Sequence, residues 1–73
     1  MAKEIVEVPI SGKITTVEVK MGDQIKEGDT ICYIESMKME NAIMAPVCGK
    51  VAELKVAPGQ IVDTGDLIVV IEY

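Results

Sequence analysis

The residues in this sequence best suited to chemistry are six in a row, Glu35-Ser36-Met37-Lys38-Met39-Glu40, close to the midpoint of the 73-residue chain. They centre on the primary amine of Lys38, bracketed by two thioethers and, outside them, by two carboxylates. An amine can act as a catalytic nucleophile or accept an acyl group that another protein has activated. An ordinary lysine, with a pKa of about 10.4, is uncharged less than about one part in a thousand near neutrality. A lysine enzyme therefore needs a base or a pocket. This chain has no histidine, and its length leaves little room for a pocket-forming insertion. An enzyme working through Glu35, Glu40 and Lys38 is disfavoured, and no residue is assigned a catalytic role. Lys38 reads instead as a substrate amine, offered at a hairpin tip to someone else's active site.

A lysine in an exposed turn is commonplace, and its position alone would mean nothing. The neighbours change this. Met37 and Met39 spend apolar surface where a turn ordinarily carries polar residues. Flexible thioethers suit a surface that several partners must read. Glu35 and Glu40 are candidates for orienting the tip toward a modifying enzyme, with Ser36 completing it.

Composition narrows the possibilities. The hydrophobic fraction is 49% without Phe or Trp, so the core must be aliphatic, and Val, Ile and Leu favour pleated surfaces. Twelve carboxylates against seven basic residues leave a net charge of −5. Without a basic patch, nucleic-acid binding is excluded. The longest apolar run, Leu67 to Ile71, falls far short of the roughly 20 residues that span a bilayer, so no direct membrane insertion is expected. Met1-Ala2-Lys3-Glu4 opens on charge with no apolar signal region behind it, predicting a soluble, cytoplasmic protein. Cys32 and Cys48 each lie in an apolar stretch at a spacing that makes neither a zinc site nor a redox pair. Both read as small hydrophobes, and no metal site is expected.

The elements that hold the tip follow from a repeat. Strands are expected over Ile5–Pro9, Lys13–Val19, around Gln24-Ile25, and over Thr30–Ser36 and Met39–Ala45, with turn signals at Ser11-Gly12, Met21-Gly22-Asp23 and Lys26-Glu27-Gly28-Asp29. Sliding the chain against itself by 37 residues matches Pro9, Gly12, Lys13, Val19, Gly22, Gly28, Asp29, Ile31, Ile34 and Glu35 with identical residues, without a gap. Apolar pairs such as Ile14/Val51 and Ile25/Val62 fill the same register. Residues 1–73 thus read as one all-β domain: a flattened eight-strand barrel or sandwich made of two four-strand halves, about residues 5–36 and 42–73, related by a pseudo-twofold axis. A lone small sheet is marginal in water, so the two copies are expected to stack. The tip lies at one end and both chain termini at the other. Ile31 and Ile34, three apart, do not share a face of a flat strand, which requires a bulge or burial on both sides. Asp29 and Asp66, each after a glycine, read as structural turn residues. Glu35 alone continues into the Met-Lys-Met segment, so the chemistry has no second copy.

The segment Glu35-Ser36-Met37-Lys38-Met39-Glu40 resembles the attachment motif of biotin carboxyl carrier domains, whose core is Ala/Ser-Met-Lys-Met with an acidic residue before it. Gly28-Asp29, Ala45-Pro46-Val47-Cys48-Gly49, Gly59 and Gly65-Asp66 extend the resemblance over about residues 5 to 73. It implies that Lys38 carries biotin as an amide made by a biotin–protein ligase from biotinyl-AMP. It also implies that the loaded arm carries a carboxyl group between a biotin carboxylase or decarboxylase and a carboxyltransferase. Met37 and Met39 then flank the site as recognition residues. Thr16–Gly22 is in register with Glu53–Gly59, which leaves no room for the protruding thumb of some bacterial carriers. The chain is more similar to the thumbless carriers of transcarboxylase, pyruvate carboxylase, propionyl-CoA carboxylase and sodium-pumping decarboxylases. The alternatives are a lipoyl carrier domain, which shares the fold but sets its lysine in an Asp-Lys-Ala context, and an unmodified β-barrel interaction module.

Overall fold

The structure is a computed structural model that describes residues 2–73; Met1, the first residue of the charged opening, lies outside them. The described residues form eight strands: β1 Lys3–Glu7, β2 Gly12–Val17, β3 Gln24–Ile25, β4 Thr30–Ser36, β5 Met39–Met44, β6 Gly49–Leu54, β7 Ile61–Val62 and β8 Leu67–Glu72. They make two antiparallel four-stranded sheets, ordered β1-β8-β6-β3 and β5-β4-β2-β7. The all-β fold expected from the repeat is present.

Shifting β1, β2, β3 and β4 by 37 residues lands them on β5, β6, β7 and β8, and carries one sheet order into the other. The two copies do not stack as separate sheets, however. Each sheet takes two strands from each copy. The turns cross over as well: Gly28 N–H donates to the Ala45 carbonyl and Gly65 N–H to that of Val8, both at 2.8 Å. Interleaving satisfies edges that a stacked pair would leave open, since a short strand such as β3 finds its ladder only in the other copy.

The core is the aliphatic one the composition demands. Ile14, Ile31, Ile34, Ile68 and Ile71 are fully buried, and Val8, Val51, Val62 and Val69 are nearly or fully so. Each such side chain contributes about 1.5–3 kcal/mol by leaving water. The awkward three-residue spacing has its explanation here. Against β5, the register runs from Thr30↔Met44 to Cys32↔Ile43, so Ile31 is the extra residue of a bulge. Against β1, Ile68 is skipped in the same way. Neighbouring Cys32 and Val69 are also buried, so the bulge and two-sided burial occur together.

Gly12 and Gly49 are not turn residues, as Ser11-Gly12 had suggested, but the first residues of β2 and β6. A Cβ on Gly12 would collide with the Glu35 carbonyl oxygen and lie 2.8 Å from Ile34 Cγ2; one on Gly49 would lie 2.5 Å from the Glu72 oxygen. These glycines let two backbones cross. Asp29 and Asp66 do close turns, accepting from Lys26 N–H and Asp63 N–H at 2.8 Å.

The molecule is elongated, 37 × 18 × 17 Å. Ile25 pairs with Gly49 and Lys50 with Glu72, so the foot of β4 shares one end with the chain termini. There Ala2 and Tyr73 exchange two backbone hydrogen bonds of 2.8 and 2.9 Å. The head of β4 carries the Lys38 turn to the opposite end.

Candidate functional site

The turn is as short as a hairpin allows. Ser36 pairs with Met39 as the last rung between β4 and β5, leaving Met37 and Lys38 as the two central residues. Both have positive φ, 53° and 67°, which is the signature of a type I′ turn. Such turns twist with the flanking strands, but they favour Asn-Gly because L side chains clash in the left-handed region. Among the described residues, Met37 and Lys38 are the only non-glycines there. The backbone strain is confined to the two residues at the apex, a pattern associated with functional sites.

Every residue of the motif is brought together at this end. Lys38 is exposed, and among the described residues it forms no ion pair. Met37 is 93% exposed and Met39 68%, so neither thioether serves the core. Ser36 is half-buried at the closing rung. Glu35 and Glu40 sit directly opposite each other, a like-charge juxtaposition that works against the hairpin. On its other side Glu35 faces Lys13 of β2, which offsets part of that repulsion. Glu40 is held further: the Thr15 hydroxyl, from the bulge of β2, donates to Glu40 Oε2 at 2.9 Å across the outer face of β4.

Thr15 was invisible as a site residue in the sequence. The signal that could have found it is a difference between the copies. Thr15 corresponds to Ala52, and Glu40 to Lys3, so the equivalent place on the other sheet cannot form this bond. Ile61 and Asp63 were missed for the same reason. With Met37, Glu35 and Val62 they line an open groove of about 380 Å³ beside the turn.

The two cysteines behave as expected of small hydrophobes only in part. Cys32 is fully buried, and burial pushes its thiol up to about 11, so it stays protonated and unreactive. Cys48 is exposed, with its sulfur 3.3 Å from the donating Glu27 N–H. Both are free thiols.

The fold is a twofold-duplicated, interleaved β-sandwich with one lysine at the apex of a strained hairpin. The family model described as "Biotin-requiring enzyme" matches residues 4–71, and the chain belongs to this biotin/lipoyl family. It is similar to the gamma subunit of glutaconyl-CoA decarboxylase from Acidaminococcus fermentans, 49% identical over 39 residues, 53% of this chain and 27% of that subunit. The large subunit of 2-oxoglutarate carboxylase from Hydrogenobacter thermophilus is 51% identical over 37 residues, 51% of this chain and 6% of the subunit. Among solved structures, the urea carboxylase of Kluyveromyces lactis superposes with a TM-score of 0.89 at 30% identity, covering 99% of this chain and 6% of that one. The chain thus spans only a small part of the relatives it matches. The resemblance to biotin carriers and the fold both stand.

The site fits the group this family requires. An acyl chain on Lys38 would extend from an exposed apex with no ion pair to break among the described residues, between two side chains that are themselves in solvent.

Proposed function

We propose that the chain is a biotin carboxyl carrier domain, one domain over residues 1–73, in which Lys38 is the attachment point. The observation that carries this reading is the isolation of the Lys38 amine at a strained two-residue apex, at the single place where one copy of the scaffold continues into the other. In the modifying step, Lys38 Nζ attacks the carbonyl of biotinyl-AMP supplied by a biotin–protein ligase. One amide bond forms, AMP leaves, and the amine proton passes to a base of the ligase, since no histidine exists in this chain. When bound, biotin supplies a ring nitrogen that accepts and releases a carboxyl group in the active sites of partner carboxylase, decarboxylase or carboxyltransferase components. This chain's own contribution is to hold the arm out. The apex fixes the direction of the lysine stem, the buried isoleucines keep the body rigid, and Met37 and Met39 offer an apolar surface to whichever enzyme approaches.

The domain itself is non-catalytic in this scheme. Its partners are the ligase and the carboxylating and decarboxylating or transferring enzymes, as the decarboxylase and carboxylase relatives suggest. The connections Glu18–Asp23 and Lys55–Gln60 are of equal length, which supports a thumbless carrier. Two free thiols support a reducing, cytoplasmic compartment. Intact-mass measurement after incubation with biotin–protein ligase, ATP and biotin tests the assignment. A single biotin increment that disappears in Lys38→Arg is expected. An increment retained in that variant would refute Lys38 as the acceptor.

A further inference from the structure

Strands β1 and β5 hold equivalent places in the duplicated scaffold, each at the rim of its sheet with one side unpaired among the described residues. On β1 the even-numbered residues face β8. Ala2 exchanges both backbone hydrogen bonds with Tyr73, and Val8 N–H donates to the Asp66 carbonyl at 2.8 Å. Alternation along an antiparallel ladder then turns the N–H and C=O groups of Lys3, Ile5 and Glu7 toward the open edge. The side chains of the same residues lie on the outer face of the sheet, all exposed, Ile5 at 58%. Pro9, the next odd position, has no N–H to offer and ends the row.

This edge is complementary to itself. Laid antiparallel on a second copy about Ile5, Lys3 meets the second copy's Glu7, Ile5 meets Ile5, and Glu7 meets Lys3. Each of these rungs joins residues whose backbone groups already face the edge, so each exchanges two N–H···O=C bonds. Half-buried Glu4 falls opposite Val6, a neutral pairing. Sliding by two residues in either direction sets a charge against Ile5. Within its own chain Lys3 lies beside Glu72, and Glu7 lies beside uncharged Leu67, so the second copy supplies the cation that β8 does not. The β5 edge lacks this match. Its corresponding residues are Glu40, Ala42 and Met44, which pair about Ala42 as Glu40 against Met44. Laid against β1 it would oppose Glu40 to Glu7. Folding needs an edge strand in both places, yet the self-matching charges occur in one.

We propose that β1 is a docking edge for a second copy of this chain, the two joining antiparallel about Ile5 so that their four-stranded sheets become one continuous sheet. Charges on an edge strand ordinarily turn other strands away. Here their spacing admits the one partner that carries the same strand. The contact is a single short strand, far smaller than the interface of a permanent dimer, so association is weak and reversible, with a Kd on the order of 0.1 mM. The net charge of −5 on each chain opposes it at long range, and the matched pairs favour it at contact. β1 runs from the termini toward the Lys38 end, so a twofold axis through Ile5 sends the two apexes to opposite poles and covers neither. The dimer is therefore compatible with the reading of Lys38 and independent of it.

Sedimentation equilibrium of the full chain, over concentrations bracketing that Kd, reads the association. Amide exchange followed by NMR locates it: Lys3, Ile5 and Glu7 are expected to gain protection as concentration rises, and Glu40, Ala42 and Met44 are not. Glu7→Lys sets lysine against lysine on both outer rungs. It is expected to weaken association about tenfold or more, although it makes the chain less acidic. Lys3→Glu is expected to do the same. It sets a glutamate beside Glu72, a like-charge pairing the fold already carries as Glu40 opposite Glu35. Mixing these two variants restores opposite charges on both outer rungs, so the mixture is expected to associate as the unsubstituted chain does. Glu18→Lys makes the same change of charge at an exposed residue outside β1, installs the residue its counterpart Lys55 already carries, and is expected to cause no loss. The proposal is overturned by a chain that stays monomeric throughout, by a Glu7→Lys variant that associates undiminished, by a mixture no stronger than its components, or by protection that appears on β5 instead of β1.

Discussion

Replacing Lys38 with glycine should make this domain more stable, although it removes the residue on which its proposed role depends. The φ of 67° puts an L side chain in the left-handed region, where the clash with the following carbonyl costs roughly 1–2 kcal/mol. Glycine has no such clash but loses more chain entropy on folding, roughly 0.5–1 kcal/mol. Lys38 is exposed and forms no ion pair among the described residues, so nothing else is forfeited. The net gain is about 0.5–1 kcal/mol. For a domain of this size each kcal/mol moves the melting midpoint by roughly 4–8 °C, so Lys38→Gly should melt about 2–8 °C higher. Adding Met37→Asn should raise it further, because asparagine tolerates the left-handed region and Asn-Gly is the favoured pair in this turn. Met37 is 93% exposed, so its removal forfeits no core packing. Thermal unfolding followed by circular dichroism, with urea denaturation as a second measure, reads the effect. A midpoint equal to or below that of the unsubstituted chain would refute the account of strain at the apex.

Other outcomes follow from the same geometry. Lys38→Arg should unfold within about 1 °C of the parent, since an exposed charge with no ion-pair partner among the described residues is replaced by another. Gly12→Ala should destabilise by about 1–3 kcal/mol, because its methyl group would press on the Glu35 carbonyl and on Ile34 Cγ2; Gly49→Ala should cost a similar amount at the other end, measured by urea denaturation. Stability should fall with alkaline pH through Cys32. Below its unfolded value of 9.0 the thiol is protonated in both states. Between 9.0 and about 11 the unfolded chain loses the proton and the folded chain keeps it, so the unfolded state gains; above about 11 the dependence levels off. Cys32→Val, the residue its counterpart Val69 carries, should flatten that slope in unfolding measurements across the window.

Much of this fold could be read from the repeat. The matched apolar positions are core positions, and pairs such as Ile14/Val51 and Ile34/Ile71 are buried alike. Strands β3 and β4 fall where turn residues bracket β-branched ones. The exchange of strands between the copies was not legible, for a physical reason. Each strand buries the same face whether its partner comes from its own copy or from the other, so apolar pattern cannot tell the two apart. Gly12 and Gly49 were misread because a glycine that admits a crossing backbone and one that permits a turn look alike in sequence; only the Glu35 and Glu72 carbonyls above them decide. At the site, the Met-Lys-Met cluster was evident from residue types alone. Its left-handed backbone was not, since neither Met37 nor Lys38 is a residue that announces such a turn. The Thr15–Glu40 bond spans two strands of one sheet and twenty-five positions of sequence, a juxtaposition no local pattern encodes.

The pair of backbone bonds between Ala2 and Tyr73 has a consequence for engineering. These residues are the 37-shifted counterparts of Met39 and Ser36, so the gap between them is a hairpin apex waiting for two residues. Ring closure through a Met-Lys dipeptide that replaces Met1 would create a second apex at the far pole. The result would be an endless chain with an amine at either extremity, 37 Å being the long dimension of the body between them.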